Sequence, residues 1–128
     1  MNVGESRAVQ VAARERWNDT GIDLQRGETY LMRAAGHWCD REIRTDAGGY
    51  DSRKLLLRLT TWLRRYPSAK WFTLIGALGP GRAGYFIIGT GCEYLAPEDG
   101  RLRCFANDVF LAYGNNTGAI ELTMTRTS

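Results

Sequence analysis

The chain has 128 residues, of which 44% are hydrophobic and 24% charged, with a net charge of +3 at pH 7. That length suits one domain, residues 1–128, with a core of its own, and the composition excludes a disordered chain. Apolar runs are short, as in Leu55–Leu57 and Tyr85–Ile88, which excludes a spanning helix of about 20 residues. The charge excess is nearly all arginine and is too mild to indicate nucleic acid by itself. One histidine, His37, excludes a multi-histidine metal centre. Three cysteines, Cys39, Cys92 and Cys104, are odd in number and lack metal-type spacing, so free thiols in a reducing compartment are expected. The first 30 residues hold no apolar signal core, and the expected location is cytoplasmic, or released without a signal peptide.

Glycine makes up roughly 12% of the chain against about 7% on average, and it separates short alternating segments, as in all-β sandwiches and barrels. Ala8–Ala12 reads as the first strand. Trp17–Gly21 is rich in turn formers, after which Ile22 and Leu24 alternate with Asp23. Thr29–Ala35 reads as a strand ending at Gly36, and Asp40–Gly49 as a loop.

A helical period follows over about residues 52–66. Leu55, Leu59, Trp62, Leu63 and Tyr66 fall on one side, Lys54, Arg58, Thr61 and Arg65 on another, and Pro67 is a stop. The reading is one short inserted helix with a solvated basic stripe. Trp62 and Trp71, among apolar neighbours, read as packing residues.

Strands return at Trp71–Leu78, at Tyr85–Ile88, which reads as buried, and at Arg101–Ala106, with Leu102, Cys104 and Ala106 on one face. The last strand, Ala119–Thr125, places Ile120, Leu122 and Met124 inward. The total expected is seven or eight strands and one helix.

Between the last two strands lies Asn107-Asp108-Val109-Phe110-Leu111-Ala112-Tyr113-Gly114-Asn115-Asn116-Thr117-Gly118. Asn107, Asp108, Asn115 and Asn116 carry side-chain oxygens, the ligand type that calcium takes six to eight of. Gly114 and Gly118 would let the chain turn tightly around an ion. The plainer reading is that Asn, Asp and Gly are ordinary turn residues.

The spacing of Asn107-Asp108-Val109 and Tyr113-Gly114-Asn115-Asn116-Thr117-Gly118 closely resembles the calcium loop of the Pseudomonas galactose-binding lectins, the PA-IL or LecA type. Leu74-Ile75-Gly76-Ala77-Leu78-Gly79 resembles the central strand of that family. Ala34-Ala35-Gly36 with Trp38 resembles a strand end in it, and Asp19-Thr20-Gly21-Ile22 with Gly27-Glu28 resembles the opening hairpin of related lectin-like domains. The resemblance implies an all-β, jelly-roll-like sandwich of the galactose-binding-domain kind. It implies a calcium-dependent lectin, not an enzyme, that binds galactose or a related sugar through vicinal hydroxyls on a loop-held Ca2+. The implied calcium ligands are Asp108, Asn115 and Asn116 by side chain and Ala112 by its carbonyl. A further oxygen comes from residues 39–41, where Asp40 can add a carboxylate. The implied sugar contacts are Asp108, Val109, Ala112, Asn115 and Asn116. The implied partner is a carbohydrate or glycoconjugate, with homo-oligomerisation left open and no membrane span.

The family's histidine and glutamine that touch the sugar's primary hydroxyl come from a loop before the central strand. Here the segment Asp51–Pro67 stands in their place without a histidine. The expected preference therefore departs from simple galactose. The rival readings are the same fold and calcium site with a non-galactose, anionic ligand, and a nucleic-acid-binding module using the basic helix.

Overall fold

Alternation is cleanest at the end of the chain, and there the architecture is anchored. In the computed structural model, which describes residues 1–51 and 61–128, the last strand spans Asn116–Arg126 and its Ile120, Leu122 and Met124 are fully buried. Among the described residues it is the tenth of ten strands: β1 (Ser6–Ala12), β2 (Asn18–Leu24), β3 (Thr29–Ala35), β4 (Trp38–Asp40), β5 (Ile43–Thr45), β6 (Leu74–Leu78), β7 (Tyr85–Ile87), β8 (Gly91–Leu95), β9 (Gly100–Ala106) and β10 (Asn116–Arg126). They form two antiparallel sheets, an all-β sandwich as expected.

In the larger sheet, β10 pairs with β1 on one side. On the other it pairs first with β4, Asn116 opposite Asp40 and Gly118 opposite Trp38, and then with β3. β8 extends the sheet beyond β3 and β5 beyond β4. The change of partner falls at Gly36 and Gly118, both in left-handed backbone (φ +101° and +86°). A Cβ at Gly118 would lie 3.1 Å from the Trp38 Cα, so close approach as well as conformation requires glycine there. The smaller sheet runs β2-β9-β6-β7, with a register break between Asp19 and Asp23.

The core lies between the sheets. Val11, Ile22, Leu24, Tyr30, Met32, Leu74, Leu78, Leu102 and Cys104 meet the inward side chains of β10. Each large aliphatic buried this way contributes about 1.5–3 kcal/mol. β6 and β9 are buried on both faces, because Ile75, Ala77 and Phe105 pack outward against Ala69, Trp17, Tyr66 and Tyr85. That second cluster explains why Leu74–Leu78 reads as a continuous apolar run rather than an alternating one.

Several expectations are corrected. Trp17–Gly21 is largely strand rather than turn, since Asn18 and Asp19 pair with Cys104 and Arg103 on β9. The Asp40–Gly49 loop contains β5, and Tyr85–Ile87 is an edge strand with Ile87 46% exposed. The inserted helix falls partly outside the described residues, at 52–60, with Lys54, Arg58 and Leu55. Its expected end does not form an α-helix. Thr61–Leu63 make one 3-10 turn, and Arg64 then bridges Val109 in extended pairing. Tyr66 is tied by its main chain to Asn107. These tertiary partners override the local helical period. The expected faces also reverse: Trp62 is 70% exposed, whereas Arg65 is buried. Trp71 is buried as expected, and the three cysteines are free, with Cys92 and Cys104 in different sheets. No helix among the described residues is long and apolar enough to cross a membrane.

Candidate functional site

The loop Asn107–Asn115 leaves β9 and returns into β10 at one end of the sandwich, where it meets β4 and the segment 64–72. Alternation would carry β9 one residue further, but Asn107 ends it. Its Nδ2 donates to the carbonyls of Tyr66, Ala69 and Lys70, and its Oδ1 accepts from the Tyr66 N–H at 2.9 Å. The Asn107 carbonyl accepts from the Phe72 N–H, which holds Phe72 in left-handed backbone (φ +63°) under the site. Asn107 is thus fully buried and fully used by the chain. It is a structural node, not an oxygen donor to an ion, and only its tertiary neighbours separate it from Asn116.

Asp108 comes next and points the other way. The residue is 4% exposed, and its carboxylate accepts from the Val109 N–H (2.7 Å) and from Asn116 Nδ2 (3.1 Å). Among the described residues no cation pairs with it. Burial pushes its pKa up to about 6, opposed by the two hydrogen bonds and reinforced by the negative charge of Asp40. Asp40 stands opposite Asn116 in the β4–β10 ladder, so the two side chains share a face. Its Oδ2 accepts from the Tyr50 hydroxyl (2.5 Å), and burial together with this bond raises the Tyr50 pKa and keeps that hydroxyl a donor. The β4–β5 turn passes through Arg41 in left-handed backbone (φ +55°), whose N–H donates to the Asn115 carbonyl.

The orientation of the Asn116 amide is set by its neighbours. Its Nδ2 faces two acceptors, the Ala13 carbonyl and the Asp108 carboxylate, so its Oδ1 must face the other way. That Oδ1 is buried and has no partner, and the same holds for Asn115 Oδ1. Buried polar atoms are nearly always paired, so each exception asks for an explanation. Among the described residues there are six such side-chain atoms, on Trp38, Arg64, Arg65, Trp71, Asn115 and Asn116. All six lie on β4, on the 64–72 segment, on the loop or at the start of β10, the elements that meet at this end. A cation with oxygen ligands would satisfy a buried amide oxygen of this kind, and it is also what a carboxylate without a cationic partner lacks. No three His, Cys, Asp or Glu side chains cluster among the described residues, so a donor set here would have to be mixed, carboxylates with amides.

Ala112 closes a turn by donating its N–H to the Val109 carbonyl, after which Tyr113–Asn115 make a single 3-10 turn into β10. Gly114 has no positive φ there, so only Gly118 of the two expected glycines is required by the backbone. The structure thus brings Asp108, Asn116 and Asp40 together, with Asn115, Val109 and Ala112 on the same loop. Around them stand exposed apolar side chains, Trp62, Leu63, Phe110 and Leu111, the first two carried alongside the loop by the Arg64–Val109 bridge. His37 is exposed, with Arg44 3.4 Å from its Nδ1.

Comparison with known proteins bears on the fold. No protein-family model matches the chain, and no curated protein matches it. Among solved structures, the chain is similar to the N-terminal domain of EclA, described as a PllA-like lectin. The TM-score is 0.69 at 20% sequence identity, over 93% of this chain and 94% of that one. The sandwich is therefore a lectin-like fold.

Proposed function

We propose that this protein is a calcium-dependent carbohydrate-binding module without catalytic activity, of the kind its loop resembles. The observation that carries the reading is the pair of buried, unpartnered oxygens of Asn115 and Asn116 beside the cation-free Asp108 carboxylate. The lectin described for the similar structure and the galactose-binding-lectin resemblance of the loop support the same reading.

Asp108, Asn115 and Asn116 would hold the ion by side-chain oxygens, Ala112 by its carbonyl, and Asp40 would add a second carboxylate. Calcium bound there would supply open coordination positions for two neighbouring hydroxyls of a sugar. The chain's own residues then do the selecting. Asp108 and the asparagines accept the hydroxyl protons, and the backbone at Val109 borders the sugar. Trp62, 70% exposed beside the loop, offers an aromatic face on which the apolar side of a sugar ring can stack.

The same geometry argues against simple galactose as the preferred ligand. The segment before β6 carries no histidine, and an unmatched buried hydroxyl costs about 1–3 kcal/mol, or about 5- to 150-fold in affinity. A glycan array in calcium is expected to give signals that vanish in chelator, whereas an array blank in calcium would overturn the reading. Calorimetry with galactose in saturating calcium is expected to show weak binding. A sub-micromolar Kd would show that the replaced segment is irrelevant to preference.

A further inference from the structure

We propose that Arg65 is the positioning residue of this loop, setting the spacing between Asp108 at its start and Asn115 and Asn116 at its end. The proposal rests on the calcium reading. Arg65 is 5% exposed, yet it has no carboxylate partner among the described residues. Residues 52–60 contain no acid in their sequence either. A buried cation without a counter-charge is expensive, and an apolar residue of similar size would fill the space more cheaply.

Aromatic rings cradle the charge. The guanidinium carbon lies 3.5 Å from the Phe105 ring centre, 4.4 Å from that of Trp17 and 5.1 Å from that of Phe110. Its hydrogen bonds reach both ends of the loop. The backbone N–H of Arg65 donates to the Asp108 carbonyl (3.1 Å). Its Nη1 donates to the Tyr113 hydroxyl (3.0 Å) and to the Arg16 carbonyl. Tyr113 in turn donates to the Ala106 carbonyl, two residues before Asp108, and itself stands two residues before Asn115. Arg65 and Tyr113 therefore tie the start of the loop to its end. Arg16 closes the same cluster, its Nε donating to the Phe110 carbonyl (2.6 Å). A planar fork reaches two acceptors at fixed angles, which an ammonium on a flexible stem does not. Nη2 of Arg65 remains buried and unpartnered, so the side chain is held in place by its other contacts.

The test is calcium calorimetry on wild type, Arg65→Lys, Tyr113→Phe and the double variant, with melting of each in chelator. Both single variants are expected to melt cooperatively in chelator and to bind calcium at least about tenfold more weakly than wild type. The double variant is expected to be no weaker than Arg65→Lys, since both changes cut one link. A wild-type Kd in a folded single variant, with only its melting lowered, would show Arg65 to be structural and would overturn the proposal. If Arg65→Lys does not fold, Tyr113→Phe decides by the same criterion. If wild type itself takes no calcium, the calcium reading falls and this proposal with it. If wild type binds and the variants bind equally, this proposal alone falls.

Discussion

Asn107→Ala is expected to lower the free energy of unfolding by about 3–5 kcal/mol. The Asn107 amide is fully buried and serves four main-chain groups, the N–H and carbonyl of Tyr66 and the carbonyls of Ala69 and Lys70. Each buried group left unpaired costs about 1–3 kcal/mol, reduced here because Pro67, Ser68 and Lys70 are exposed and water can reach part of the freed backbone. Asn107→Asp is expected to cost as much, because it sets a carboxylate against three carbonyl oxygens. Urea denaturation of both variants checks this. A loss below about 1 kcal/mol in Asn107→Ala would show that the 66–70 segment does not depend on this side chain.

Asp108→Ala is expected to abolish calcium binding and glycan binding while leaving a folded protein. In wild type without an ion, ionised Asp108 is a burden. Its pKa stands about two above the ordinary carboxylate value, which at about 1.4 kcal/mol per pH unit costs about 2–3 kcal/mol at neutral pH. The folded value lies above the unfolded one, so this cost is absent below about pH 4 and grows as the pH rises through about 6. Alanine removes the burden but also the bonds to the Val109 N–H and Asn116 Nδ2, and these losses offset one another. The melting temperature in chelator is therefore expected to change little, and the calcium response to vanish. A variant that melts like wild type and still binds glycans in calcium would remove the loop from the mechanism.

What the sequence made legible follows from where its signals are local. β3 and β10 bury every second residue over most of their length, so alternation finds them. β8 is an edge strand whose inward Cys92 and Tyr94 are only half-buried and whose outward Leu95 is apolar and exposed, so its alternation is weak in the sequence. The spacing of Asp108, Asn115 and Asn116 is local to one loop and is readable. Asp40 reaches the same place only through the β4–β10 ladder, whose register depends on residues about 75 positions apart. From the sequence Arg65 reads as solvated, because an arginine at helical spacing on a basic stripe ordinarily faces water. Its burial comes from Trp17, Phe105 and Phe110, all distant in sequence. Asn107 and Asn116 have the same composition signal, and only their partners separate a backbone clasp from a candidate ligand.

Thermal melting of the wild-type chain with calcium and then with chelator tests the central claim most directly. An ion that binds only the folded state adds about 2.7 kcal/mol at a hundredfold excess over its Kd. For a domain of this size that corresponds to a rise on the order of 10 °C, and chelator is expected to reverse it. The same melting temperature in calcium and in chelator would contradict the account.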